Sequence, residues 1–146
     1  MDNTKYGQYI VTQLKAPERV MGEYNKLYST WAKRILWLDK DVVPGAFQIN
    51  CSWYCRPAQV KTGEAYAHVH DCDEIIGFFG PHHERPYDLG AEIEFWIEDE
   101  QHILTSSALI FIPKGIKHCP LILRRVDEPI FHFSTVTGTQ YTSIRK

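Results

Sequence analysis

Short apolar runs broken by turn residues recur along the whole chain, and that rhythm restricts the fold more than any other feature. GQYIVTQL, RILWL, AFQINCSWYCR, EAYAHVH, EIIGFFG, AEIEFWIED, HILTS, ALIFIP, LILRRV and IFHFSTV are each rich in β-branched and aromatic residues. Between them stand PG at 44–45, TGE at 62–64, GP at 80–81, EDE at 98–100 and VDEP at 126–129, residues that supply turns. About ten short strands predict an all-β barrel or sandwich. One stretch departs from the rhythm. Pro17 and Glu18 open a segment with Val20, Tyr24, Leu27 and Tyr28 at helical spacing, which predicts a short helix near the N-terminus, weakened by Gly22.

At 146 residues the chain has the length of one domain, read here as residues 1–146. Hydrophobic residues make up 44% and charged residues 23%, ordinary values for a soluble protein, and no apolar run is long enough to span a bilayer. The opening MDNTKYGQYIVTQLK has no basic segment followed by a continuous apolar one, so the expected location is cytoplasmic. Cys51, Cys55, Cys72 and Cys119 fit no paired zinc pattern and are expected as free thiols. Net charge is −2 and no basic run exceeds Arg124–Arg125, which argues against a nucleic-acid partner. Small barrels leave sheet edges open, so the N-terminal arm, residues 1–32, is expected to pair with a partner subunit through GQYIVTQL in a homodimer.

The stretch HVHDCDEIIGFFG, residues 68–80, carries the chemistry. Strand residues two apart point the same way and lie about 6.5–7 Å apart, so His68 and His70 can aim at one point, with Tyr66 on the same face. Alternation from Glu74 then places Glu74, Ile76 and Phe78 on one side, where the carboxylate can share an interior with the imidazoles. In IPKGIKHCP, residues 112–120, Pro113 and Gly115 form a turn that delivers His118 to the start of a further strand. Three imidazoles and one carboxylate suit a divalent transition ion such as iron, manganese, nickel, cobalt or zinc. Cys72 and Cys119 adjoin ligands in sequence, and strand alternation turns them to the opposite face. His82, His83 and His102 fall in polar loops or turns. His132 groups with Ile130 and Ser134, either as pocket wall or as a structural histidine. Trp31, Trp37, Trp53 and Trp96 are expected in the core and at a subunit interface.

At these residues the sequence resembles the cupin superfamily. The first cupin motif is matched by Gly63, His68, His70, Glu74 and Gly80, and the second by Pro113, Gly115 and His118. Two spacings differ: Gly63 stands one residue closer to His68, and Gly80 one residue closer to Glu74, than is usual. Ser107 replaces a glycine of the second motif and Ile122 an asparagine. The resemblance implies a double-stranded β-helix (jelly-roll) barrel holding one divalent metal on His68, His70, Glu74 and His118, iron or manganese before nickel, cobalt or zinc. It also implies a metalloenzyme for a small organic molecule, of dioxygenase, isomerase or lyase type, with Glu74 and Tyr66 as the catalytic candidates. The alternative is a noncatalytic module that uses the metal to anchor or sense a small ligand. The cavity is expected to be mainly apolar, with Ile76 and Phe78 in its wall and the Tyr66 hydroxyl beside the metal.

Overall fold

Alternation governs the strands from their first residues. Gln48, Asn50, Ser52 and Tyr54 are buried on one side of a seven-residue strand, and Ile130, His132, Ser134 and Val136 do the same on another. The structure, a computed structural model, describes residues 4–59, 67–138 and 144–145. Its strands are β1 (Ala32–Leu38), β2 (Gln48–Tyr54), β3 (Ala58–Gln59), β4 (His68–Val69), β5 (Glu74–Phe79), β6 (Asp88–Ile97), β7 (Glu100–Ser106), β8 (Ala108–Ile112), β9 (His118–Val126), β10 (Ile130–Val136) and β11 (Ile144–Arg145).

Two antiparallel sheets result. One has the order β1-β2-β10-β5-β8; the other runs β11-β4-β9-β6-β7, with β3 also paired to β9. Their inner faces enclose the core, built from Tyr54, Phe78, Ile112 and Ile130 on the first sheet and Leu89, Ile93, Phe95, Leu121 and Leu123 on the second. Each such side chain contributes about 1.5–3 kcal/mol by leaving water. Strand β6 shows why the chain chose sheets: Leu89, Ala91, Ile93 and Phe95 are buried while Gly90, Glu92, Glu94 and Trp96 are only partly covered. The all-β architecture expected from the sequence is the one observed.

The helical stretch forms in two pieces, α1 (Glu18–Met21) and α2 (Glu23–Tyr28), parted at Gly22, whose ψ of −133° leaves the helical range. Their buried residues, Val20 and Tyr28, come from the helical-spacing set. The segment GQYIVTQL forms no strand within the chain. Gly7–Tyr9 is a single 3-10 turn, and residues 10–14 pair with no described strand. A strand needs a neighbour to accept its hydrogen bonds, and the five-stranded sheet already ends at β1. Of EAYAHVH, only His68 and Val69 are seen in a strand; Gly63 and Tyr66 lie outside the described residues.

Gly80 fixes how β5 hands over to β6. A Cβ there would lie 1.9 Å from the Asp88 carbonyl oxygen, so only glycine permits that approach. Ser107, which stands where the motif usually has glycine, accepts a hydrogen bond on Oγ from the Gly80 amide at 3.2 Å. The departure from the motif thus satisfies the backbone group it lies against.

Candidate metal centre

Both sheets contribute to one buried cluster. His68 on β4 is paired across the ladder with His118 at the start of β9, His70 follows β4 by one residue, and Glu74 opens β5 in the opposite sheet. The Pro113–Gly115 turn is clamped to this strand: the Gly115 amide donates to the His70 carbonyl at 3.1 Å, and the Lys114 amide donates to Asp73 Oδ1 at 2.8 Å. Gly115 has φ +84°, a left-handed conformation that glycine adopts without strain. That turn is what brings His118 opposite His68.

The three rings lie 4.3 Å (His68–His118), 4.8 Å (His68–His70) and 5.1 Å (His70–His118) apart between centroids. One nitrogen from each falls within 4.8 Å of the others. Glu74 Oε1 stands 2.9 Å from His118 Nε2 and 3.2 Å from His70 Nε2, with all three side chains at most 4% exposed. His118 Nδ1 donates to the Ile116 carbonyl at 3.0 Å, which leaves Nε2 of the neutral ring with its lone pair turned toward the cluster. Neither that nitrogen nor Glu74 Oε1 completes a hydrogen bond of acceptable geometry. Burial pushes the Glu74 carboxyl up, and the His118 and His70 imidazoles outweigh it, holding the group at about 2.

A buried ionised carboxylate facing two imidazoles needs positive charge beside it, from a proton on the rings or a cation among them. A divalent ion supplies that charge, and nitrogen and oxygen donors in this number suit a first-row metal. The residues present therefore fit the implied group.

A cavity of about 30 Å³ adjoins the cluster. His68, Glu74 and His118 form one side of it. Ile76 and Phe95, with Leu121 and Tyr54, give it apolar and aromatic walls, and His132 and Ser134 add polar atoms. Ile76 is where alternation from Glu74 put it. Phe78 is not in the wall; it is fully buried behind it, its ring 5.0 Å from that of His132. The Tyr54 phenol faces the cavity through the pairing of β2 with β10, a register no local pattern announces. His132 is a wall residue, stacked on Tyr54 at 4.4 Å, with Nδ1 donating to the Gly77 carbonyl at 3.1 Å. Burial pulls its pKa down to about 4, and the positive charge of Arg34 adds to that, against the Gly77 carbonyl and the Glu74 charge.

Cys119 corrects the alternation reading. Between the pairs Phe95–Leu121 and Ile97–His118, β9 places two residues against one on β6, and Cys119 takes φ +73°. This β-bulge turns Cys119 back inward, so it lines the cavity beside His118. All four cysteines are free thiols. His83 and His102 are exposed, and His82 meets Glu128 at 2.5 Å on the surface, away from the cluster.

A second buried polar group occupies the same inner face. Arg34 donates through Nη1 to Asn50 Oδ1 and through Nε to Asn25 Oδ1 at 3.4 Å, and its guanidinium lies 4.3 Å from the Tyr28 ring centroid. Tyr28 in turn donates to Ser52 Oγ at 2.6 Å. Gln48 is also fully buried, whereas Arg56 is on the surface.

No protein-family model matches the sequence, and no curated protein matches it. Solved structures do. An oxalate oxidase in complex with glycolate is superposed with a TM-score of 0.54 at 12% identity, over 94% of this chain and 63% of that one. The chain has the cupin fold. A cupin protein from Bacteroides fragilis aligns at 20% identity over 75% of this chain and 82% of that one, with a TM-score of 0.43. KdgF from Halomonas sp. aligns at 15% identity over 73% and 76%, also with a TM-score of 0.43. The chain accounts for less than two thirds of the oxalate oxidase chain it matches. Within the cupin fold the histidine triad bridges the strand pair β4–β9. No helix among the described residues is long and apolar enough to cross a membrane.

Proposed function

We propose that this chain is a metal-dependent enzyme acting on a small, oxygen-bearing organic molecule, with His68, His70, Glu74 and His118 holding one divalent first-row ion. What carries the reading is the convergence of three imidazoles and an ionised carboxylate, all buried, beside a cavity of about 30 Å³. One water needs at least about 10–15 Å³ of such space, so the cavity takes the reacting end of a molecule with very few heavy atoms. Its apolar walls favour a small acid over a hexose. The glycolate bound in the oxalate oxidase structure is of the size this cavity favours, which supports a small acid as substrate.

The ion, when bound, would polarise an oxygen of the substrate or lower the pKa of a bound water. The protein's own groups do the rest. Glu74 stays ionised, so it can take a proton only as its contact with the imidazoles loosens. His132 is neutral near pH 7, and its Nδ1–H is committed to Gly77, leaving Nε2 as the ring's proton acceptor. Ser134 offers a hydroxyl for orienting a substrate oxygen, while Ile76, Phe95 and Leu121 keep bulk water out. Tyr66, two residues before His68, is proposed as a further proton-handling group. Iron or manganese is the proposed resident ion, and oxygenase, isomerase or lyase chemistry the proposed class.

The test is to purify the protein anaerobically, measure its metal, and titrate the loaded form with glycolate, oxalate and a hexose. About one ion per chain is expected, with the two small acids perturbing the metal spectrum and the hexose leaving it unchanged. Metal far below one per chain rejects the proposal. Ligand-perturbed spectra without turnover of any small acid would instead establish the noncatalytic binding module.

A further inference from the structure

The two sheets differ on their outer faces. On the β6–β9 side the surface is charged, with Arg124 Nε donating to Glu94 Oε1 at 3.0 Å and Glu92 alongside. The outward positions of β2, β10, β5 and β8 carry no charged residue at all. Several of their side chains are nonetheless open to water: Leu109 is 66% exposed, Phe111 59%, Ile75 41% and Trp53 37%. Monomeric proteins seldom leave so continuous an apolar face uncovered.

The ladder registers arrange this face in rows. Phe111 pairs with Ile75, Ile75 with Thr135, Thr135 with Ile49, and Ile49 with Leu38, so one straight row crosses all five strands. At the β8 end of the row Phe111 projects. At the β1–β2 end lies a shallow groove of about 410 Å³, floored by Leu38, Ile49 and Thr135 and rimmed by Phe47, itself 68% exposed. A projection and a hollow stand at opposite ends of one row, with the central strand β10 halfway between them.

We infer that this face is a homodimer interface, with a twofold axis running along β10. Such an axis keeps each row at its own height and exchanges its ends. The Phe111 of each copy then seats in the groove of the other, twice over, as an isologous interface requires. A twofold sets a patch against its own image, so any unpaired charge near the axis would meet its like; β10 and the strands on either side of it have none, and Lys33 stands on the edge strand β1. The row next to it is flat at its centre, because Phe133 lies over Gly77, where a Cβ would come within 2.4 Å of the ring. Five strands of about seven residues measure roughly 24 by 23 Å. With side-chain relief and the Phe47 loop included, that approaches the roughly 800 Å² each partner contributes to a standard interface. The inference stands apart from the metal site and differs from pairing through the N-terminal arm.

Light scattering and sedimentation on the full chain test it. The wild type is expected at twice 17.0 kDa at micromolar concentration. Phe111→Glu is expected at a single chain mass, with an unchanged far-ultraviolet spectrum and unchanged metal content. Adding Phe47→Lys to Phe111→Glu is expected to restore the dimer, because each projection then meets its complement; refolding damage would not be repaired that way. A wild-type monomer, or a Phe111→Glu dimer as tight as wild type, overturns the inference.

Discussion

The inner face of the five-stranded sheet carries two buried polar groups that obey opposite rules. Around Arg34 each contact runs from donor to acceptor: guanidinium to Asn50 and Asn25, Tyr28 hydroxyl to Ser52. Around Glu74 a carboxylate oxygen stands 2.9 Å from a His118 nitrogen while the ring's other nitrogen donates to Ile116, so the neutral ring offers that oxygen no proton. The first arrangement lacks only an acceptor for Arg34 Nη2, and its charge otherwise rests on neutral oxygens and an aromatic face. The second needs a further proton or a metal ion between its members. Burial is similar in both, so burial alone does not mark a site. What marks it is the sign of the hydrogen-bonding mismatch.

Breaking the cation-requiring cluster should have the largest effect. His68→Ala, His70→Ala and His118→Ala are each expected to lower metal affinity by more than about a hundredfold, beyond the usual 10–100-fold loss for a group that only supports a ligand. Elemental analysis of folded protein checks this, and full occupancy in all three would refute the assignment.

His132 sits between the two groups and sharpens the contrast through pH. Its folded pKa of about 4 lies below the ordinary value of 6.5, so the unfolded chain binds a proton that the folded chain refuses. Its contribution is intact above pH 6.5 and is lost as pH falls from there toward 4, by up to about 3 kcal/mol. Metal-free His132→Gln should show a correspondingly shallower acid limb in urea unfolding than metal-free wild type. Parallel limbs would place His132 in water rather than in the wall.

Arg34→Met should give the smallest effect and the cleanest separation. It leaves Asn50 Oδ1 without its donor and removes the cation over Tyr28, at a cost of about 2 kcal/mol in stability. Metal content should not change. If it fell with stability, the two groups would be one coupled unit.

The proposed ligand set could be read from the sequence because its logic is short-range. His68 and His70 need only strand alternation, and His118 needs only the Pro113–Gly115 turn before it. The cavity wall was less legible. Tyr54 and Ser134 reach it through the pairings of β2, β10 and β5, which join residues 52 (Phe131–Phe79) to 88 (Val136–Gln48) positions apart. Phe78 obeyed alternation, yet it packs against the His132 ring and does not line the cavity. GQYIVTQL has strand composition but no partner strand among the described residues, and composition cannot supply one. Cys119 was misplaced because a bulge suspends the period-two rule for one step.

That bulge is a change of parity. His118 must face inward to join the cluster, and Leu121 and Leu123 must face inward to fill the core, yet three is an odd number of steps from 118 to 121. An unbroken strand can honour one demand or the other. With the extra residue at Cys119–Pro120, β9 is in effect two strands of opposite phase laid end to end, one for chemistry and one for packing. Point substitutions leave that count alone. Loss or gain of a single residue between 118 and 121 would not, and either would force the strand to give up its histidine or its leucines.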